Sequence, residues 1–304
     1  MRVRLIVNAA ATGVRGPVLD AVIAALREAA EVEVATTEYA GHATELAAAA
    51  TEDAVVALGG DGTYNEVVNG MRPGEVMGVL PAGASSVFAR HLGFVNDPAA
   101  AARQVADALR SGSTRSIGLG VADGRAFTFA AGLGLDAEAT AIVDAARHER
   151  PGNERPGDLQ VLATALRVLR AEGYALHERM TLIADGSSHR CSYLAVANQH
   201  PYTFLGPIPV RATPRADFEH GLDVVFTREL RGRQLWRLPV YALIWPRHAR
   251  RGSRHVGYLH DLNGFAVECD EPTAFQIDGE YVGHRERVRF SYRRNAIRVL
   301  VPAG

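Results

Sequence analysis

The residues of this chain that could do chemistry gather in two short glycine-bearing stretches. The first is Gly59-Gly60-Asp61-Gly62-Thr63, preceded by the apolar run Ala54-Val55-Val56-Ala57-Leu58 and followed by Tyr64-Asn65-Glu66-Val67-Val68-Asn69-Gly70. A short apolar run reads as a buried parallel strand. The segment after the glycines reads as a helix, with Thr63 as N-cap and Asn69-Gly70 as its stop. A strand, a glycine turn and a helix N-terminus together can hold a phosphate, because backbone N–H groups and the positive helix end face the anion. Asp61 is the unexpected member, since a carboxylate repels a polyphosphate. It calls for a job: holding Mg²⁺, or taking a proton from an attacking hydroxyl. The alternative is a tight turn in which Asp61 bonds only to backbone N–H groups.

Two familiar phosphate loops do not fit. A Walker A loop needs a lysine, and the chain contains none. A dinucleotide Gly-x-Gly-x-x-Gly starting at Gly60 would need glycine where Asn65 stands. The second stretch is Phe275-Gln276-Ile277-Asp278-Gly279-Glu280-Tyr281-Val282. Asp-Gly between alternating runs predicts a hairpin turn. A hairpin tip is also a rigid mount for a carboxylate.

The elements that must position these residues follow from periodicity. Strands are expected at Val3–Val7, Val32–Thr36, Ala54–Leu58 and Val76–Leu80. Helices are expected at Val18–Ala30, Tyr39–Ala50, from Thr63, from Val87, and at Pro98–Arg110. Alternating strands and helices imply a parallel sheet covered on both faces. Ligands of such sheets bind beyond the carboxyl ends of the strands, where Asn8, Thr37, Asp61 and Gly83 fall. After Ser111-Gly112-Ser113 the texture changes, which places a domain boundary near Arg115. The remainder, with strands expected at Met180–Ala184, Cys191–Asn198, Gly221–Thr227, Gly264–Glu268, Ala274–Ile277 and Val288–Tyr292, reads as mainly antiparallel β with one or two helices, Leu159–Leu169 among them. Glu149–Asp158 reads as a charged, exposed loop.

Composition bounds the function. The 304 residues, 47% hydrophobic and 22% charged, suit a globular chain of two domains. A net charge of −1 gives no overall pull towards nucleic acid, which is excluded as a partner. Cys191 and Cys269 are too few and too far apart for a disulfide framework, so a cytoplasmic setting is expected. Arg231–Arg254 is free of acidic residues and carries Trp236 and Trp245 among arginines. It reads as a core segment with a solvated face, or as a surface that meets anionic lipid.

Gly59-Gly60-Asp61-Gly62-Thr63 with Asn65-Glu66-Val67-Val68-Asn69-Gly70 resembles the diacylglycerol kinase catalytic family, which includes bacterial lipid kinases and sphingosine kinases. The Gly-Gly-Asp-Gly core is shared more distantly with NAD kinases. The resemblance extends to Thr37-Glu38-Tyr39-Ala40-Gly41-His42-Ala43, Leu80-Pro81-Ala82-Gly83-Ala84-Ser85-Ser86, Ala131–Ala137, Val196–Asn198, Gly221–Val225 and Asp278-Gly279-Glu280. It implies an α/β domain over 1–114 with a parallel sheet that binds nucleotide, and a mainly antiparallel β-sandwich domain over 115–304 on the acceptor side. It also implies ATP and Mg²⁺ as cofactors and a lipid hydroxyl as acceptor. The implied nucleotide site comprises Asn8, Thr37, Gly59, Gly60, Asp61, Gly62, Thr63, Asn65, Gly83, Ser85 and Ser86. In the family the carboxylates of the second stretch point into an interdomain cleft. Glu280 is therefore the first choice for general base, Asp278 its orienting partner or an aid to Mg²⁺, and Asp61 the rival base. An NAD kinase, and a nucleotide- or lipid-binding relative without turnover, are the competing readings.

The sequence departs from the family pattern at four places. Asn-Pro is Asn8-Ala9, and Ala84 and Ser86 stand where threonine and asparagine are usual. His220 replaces the aspartate of a structural metal loop, and imidazole is a poor ligand for Mg²⁺, so no metal ligand is assigned there. The expected partners are a lipid substrate and a transient membrane surface, at the inner face of the membrane. A homodimer is also compatible with the sequence.

Overall fold

The computed structural model describes residues 1–11, 13–83, 85–148, 158–171, 173–235 and 253–302. Trp236, Trp245 and most of the arginine-rich segment, the charged loop 149–157, and Ala84 lie outside the described residues. The chain divides into two compact units, Met1–Leu119 with Arg294–Gly304, and Gly120–Arg293. The expected second domain 115–304 thus begins five residues early and loses its last segment: the chain returns to the first unit to finish its sheet.

The first unit alternates strand and helix: β1 (Arg2–Val7), α1 (Gly16–Arg27), β2 (Glu31–Thr36), α2 (His42–Ala48), β3 (Ala54–Gly59), α3 (Asp61–Gly70), β4 (Val76–Pro81), α4 (Val87–His91), α5 (Pro98–Ser111) and β5 (Thr114–Ala122), the last running on into the second unit. The sheet order is β2-β1-β3-β4, and these pairs are parallel. Arg298 and Val299, near the chain's end, add a further parallel pairing to β4. That return was not legible, because Ala296-Ile297-Arg298-Val299-Leu300 has no local feature naming its partner. Central β3 is buried along its whole length, as its unbroken apolar run requires, while edge strand β2 is largely exposed. Helix α1 packs on α5, and α2 on α3.

Local signals set the helix ends. Asp97 accepts a hydrogen bond from the Ala100 N–H at 2.7 Å, Pro98 opens α5, and Gly112 closes it at φ 69°. Helix α3 starts at Asp61 with Gly60 at its N-cap, two residues before the expected cap Thr63. Thr63 is not available as a cap because it lies buried in the first turn, where its Oγ1 accepts from Asn8 Nδ2 at 2.8 Å.

The second unit contains β6 (Arg125–Phe127), β7 (Ala130–Leu133), α6 (Leu135–His148), α7 (Asp158–Ala171), β8 (Ala175–Leu176), β9 (Met180–Ala184), β10 (Ser187–Cys191), β11 (Tyr193–Ala197), β12 (Thr203–Leu205), β13 (Ile208–Val210), β14 (Leu222–Thr227), β15 (Leu230–Arg231), β16 (Val256–Leu262), β17 (Gly264–Ile277) and most of β18 (Glu280–Leu300). Its pairings are antiparallel. The two short strands expected at Gly264–Glu268 and Ala274–Ile277 are one strand, β17. It pairs with β9 through Ala266–Cys269 and with β7 through Phe275–Ile277. Leu182, Val196, Phe226, Val267, Phe275 and Phe290 from these strands share one core. Each buried aromatic ring contributes about 2 kcal/mol by leaving water. Helix α6 was not expected, because Gly132-Leu133-Gly134 at its start reads as a turn.

Candidate active site

The loop after β3 is built by close backbone approach. A Cβ on Gly83 would lie 2.8 Å from the Cα of Gly60, and one on Gly60 would lie 3.4 Å from the Cα of Gly83. The ends of β3 and β4 thus touch through their glycines, and the Ala82 N–H donates to the Gly59 carbonyl at 2.8 Å. Asn8 joins them from the end of β1. Its N–H donates to the Leu58 carbonyl, its Nδ2 donates to Thr63, and its Oδ1 accepts from the Ala10 N–H. The Thr37 N–H donates to the Val7 carbonyl at 2.9 Å, which places Thr37 beside the Asn8 end of β1. Thr63 and Asn65 are buried in α3, Gly62 lies between Asp61 and Thr63, and Tyr64 donates from its hydroxyl to the Gly59 carbonyl at 3.0 Å. The structure therefore gathers Asn8, Gly59, Gly60, Thr63 and Gly83 at the carboxyl ends of the parallel strands.

Asp61 faces inwards. It is 4% exposed, and its two oxygens accept from the Val87 and Phe88 N–H groups, each at 2.9 Å. Its charge is spent on the first turn of α4. Ser86 is the N-cap residue of α4. It makes no side-chain cap bond, and its Oγ donates instead to the Gly83 carbonyl at 3.2 Å, with its backbone at φ 43°. A carboxylate from α3 does the work that serine or asparagine would do locally. Ser85 is half-buried beside it.

In the second unit, Asp278 and Gly279 form the predicted hairpin tip, both at positive φ (47° and 75°), with Ile277 paired to Glu280. Asp278 is 1% exposed. It accepts four hydrogen bonds, from Thr128 N–H (2.7 Å) and Oγ1 (2.9 Å) and from the N–H groups of Phe129 (3.0 Å) and Ala130 (3.1 Å). Such a carboxylate is a clamp on the 128–130 segment. The Tyr281 N–H donates to Asp144 of α6 at 3.1 Å, which holds the hairpin from the other side. Between these anchors Glu280 keeps a side chain that is 39% exposed, 3.6 Å from the Arg125 guanidinium. Asp61, Asp278 and Glu280 were expected as a catalytic set; the first two are fully engaged within their own units, and Glu280 is the one at the surface.

A model of the diacylglycerol kinase catalytic domain matches residues 2–122. The first unit is therefore similar in sequence to diacylglycerol kinase catalytic domains. Diacylglycerol kinase of Bacillus subtilis (strain 168) is 40% identical over 104 residues, covering 33% of each chain. Diacylglycerol kinase of Staphylococcus epidermidis is 37% identical over 116 residues, covering 36% of this chain and 35% of the relative. The matched stretch thus spans about a third of these relatives' length. In fold the likeness is wider. A putative diacylglycerol kinase from Bacillus anthracis superposes with a TM-score of 0.76 at 21% identity, over 99% of this chain and 95% of the other. An NAD kinase from Archaeoglobus fulgidus, solved in complex with ATP, gives a TM-score of 0.53 at 13% identity, over 99% of this chain and 94% of the other.

The loop after β3 suits a phosphate through the N-terminus of α3 at Gly60, and the close Gly60–Gly83 approach requires glycine at Gly83. A protein-built Mg²⁺ cage does not fit. Among the described residues no group of three or more His, Cys, Asp or Glu is placed to hold a metal, and the carboxylates of Asp61 and Asp278 are consumed by backbone donors. In the loop before β14, His220 faces Asp217 at 2.7 Å, which raises the imidazole's pKa. Buried Asp223 takes the His260 ring at 2.6 Å and the Tyr258 hydroxyl.

Sequence reasoning missed Asp136, at the start of α6. It accepts from the Ala137 N–H (2.7 Å), Tyr202 (3.0 Å), Gln276 Nε2 (3.3 Å) and Tyr193 (3.5 Å). Burial pushes its carboxyl up to about 6, against these bonds, which favour the charged form. Asp136 lies within the Ala131–Ala137 stretch of the resemblance, but its partners come from three separate strands or loops, so nothing local marked its burial or its bonds.

Proposed function

We propose that this protein phosphorylates a lipid hydroxyl with ATP. The observation that carries the reading is the phosphate-type loop at the carboxyl ends of the parallel strands, in a stretch matching diacylglycerol kinase catalytic domains. The backbone N–H groups at Gly60 and the start of α3 would receive the phosphates, and Asn8, Thr63 and Gly83 would hold that loop in shape. Thr37, Gly59, Gly62, Asn65, Ser85 and Ser86 complete the proposed nucleotide surface or its support. ATP supplies the phosphoryl group. No step is assigned to Mg²⁺, which such enzymes bring with the nucleotide phosphates rather than hold in a protein cage.

Glu280 is the proposed general base. Its half-exposed carboxylate can reach a hydroxyl, with the Arg125 guanidinium 3.6 Å away to orient it. Asp278 is its positioning residue, because it fixes the hairpin that carries Glu280. Asp61 supports the phosphate loop by anchoring α4 to α3. The lipid acceptor places the enzyme at a membrane surface, at its cytoplasmic face. Among the described residues no helix is long and apolar enough to cross a membrane.

The test is transfer of label from γ-labelled ATP to a panel of lipids in mixed micelles. A labelled lipid is expected from the wild type and none from Gly60→Asp, which puts a side chain and a charge into the cradle. Absence of label on every lipid from the wild type overturns the reading.

A further inference from the structure

Within the second unit, a cavity of about 500 Å³ opens beside the Glu280 hairpin. Half-buried Val282 and Tyr281 give it an apolar edge over the core residues Phe275 and Ile277, and Arg125, Arg285 and Asp123 give it charge. Arg285 stands apart from the other arginines of β18. Arg287, Arg289, Arg293 and Arg294 are exposed, while Arg285 is half-buried. Its Nη1 donates to the His284 carbonyl at 2.8 Å, and it has no carboxylate partner among the described residues. A guanidinium partly withdrawn from water, with most of its fork unspent, suits an anion that can accept two parallel bonds. Asp123 lies on the same lining, its Oδ1 accepting from the Arg289 N–H, and no ion pair joins it to Arg285 among the described residues; two arginines against one carboxylate leave the lining positive. Arg125 links the cavity to Glu280 through their ion pair.

We propose that Arg285, with Arg125 beside it, forms an anion subsite that holds a phosphate borne by an amphiphilic ligand, while the apolar edge receives the start of its hydrocarbon part. The inference rests on the reading of Glu280 as the acceptor-side base. The phosphate has two chemical sources: one already present on the acceptor, as in a phosphodiester lipid with free hydroxyls, or the new monoester of the product.

Calorimetric titration of the full chain, without nucleotide, with soluble short-chain lipids separates the cases. The probes are dihexanoyl phosphatidate, dihexanoyl phosphatidylglycerol and neutral dihexanoylglycerol. Phosphatidate should bind the wild type more tightly than dihexanoylglycerol, and inorganic phosphate should compete with it. Arg285→Ala should weaken phosphatidate about tenfold, as loss of a charge-assisted bidentate contact does. Arg285→Lys should recover part of the loss. Arg287→Ala, which removes an exposed arginine paired to Glu268, should change nothing. If phosphatidylglycerol follows the same pattern, the phosphate belongs to the acceptor; if phosphatidate alone does, it belongs to the product. Equal binding of phosphatidate to wild type and Arg285→Ala overturns the subsite. So does dihexanoylglycerol binding as tightly as phosphatidate to the wild type, a result that needs no variant. Since no turnover is involved, Arg285-dependent phosphatidate binding by a protein that labels no lipid would sink the kinase reading and leave the subsite standing.

Discussion

The Gly-Gly-Asp-Gly loop of the first unit and the Asp-Gly-Glu hairpin tip of its neighbour are alike as sequence: aspartate beside glycine, where a carboxylate could meet a substrate. In both, the aspartate turns inwards. Asp61 anchors the neighbouring helix, and Asp278 anchors the neighbouring strand segment. The two differ in the element that each aspartate leads into. After Asp61 the chain is a buried helix, so the loop offers backbone N–H groups and no acid. After Asp278 a strand begins, whose alternation turns Glu280 outwards. That difference underlies the proposed roles, anion binding for the first region and proton acceptance for the second. Proximity to glycine marks where a backbone turns, and it does not say whether the carboxylate there faces solvent.

Substitution can break this contrast, most severely at Asp278. Asp278→Ala leaves four buried donors without an acceptor and should cost about 3–5 kcal/mol in chemical denaturation. A loss below about 1 kcal/mol would show that Asp278 is no clamp. Glu280→Gln should act the other way: turnover falls at least about a hundredfold, the lower range for loss of a general base. Its melting temperature should barely move, because a half-exposed ion pair contributes little. Asp61→Asn comes next, with about 1–2 kcal/mol lost from the missing helix cap and a weaker thermal shift on adding ATP. If Asp61→Asn stays as stable as the wild type and binds ATP but loses turnover, while Glu280→Gln remains active, the two regions have been assigned in reverse.

The last effect shows only as a slope of stability against pH and concerns Asp136. Its folded pKa, about 6, lies above the ordinary aspartate value of 3.8, so between the two the folded protein holds a proton that the unfolded chain has released. Stability should therefore be fully present below pH 4 and fall as pH rises to 6, with a slope of roughly 1 kcal/mol per pH unit. Asp136→Asn should remove that slope in denaturation series between pH 4 and 6. A slope equal in both proteins would assign it to another group.

Much was legible because local chemistry announces itself. The apolar runs of β1, β3 and β4, the Asp97-Pro98 start and Gly112 end of α5, and the Asp278-Gly279 turn each follow from side-chain preferences acting over a few residues. Family motifs named the residues of both regions, and the structure gathers Asn8, Gly59, Gly60, Thr63 and Gly83 as the strand ends imply.

Tertiary structure decided the rest. Nothing in Asp61 tells that Val87 and Phe88 will lie against it, because that contact depends on the paired ends of β3 and β4. Nor does Asp136 reveal Tyr193, Tyr202 and Gln276, or Arg285 its place in a cavity wall. Sequence alone determined where β1, β3, β4, α5 and the Asp278-Gly279 turn form, and which residues are chemically able to act. Which carboxylates are spent on backbone and which are left to act was decided by packing, since a buried charge must find its donors wherever the fold brings them.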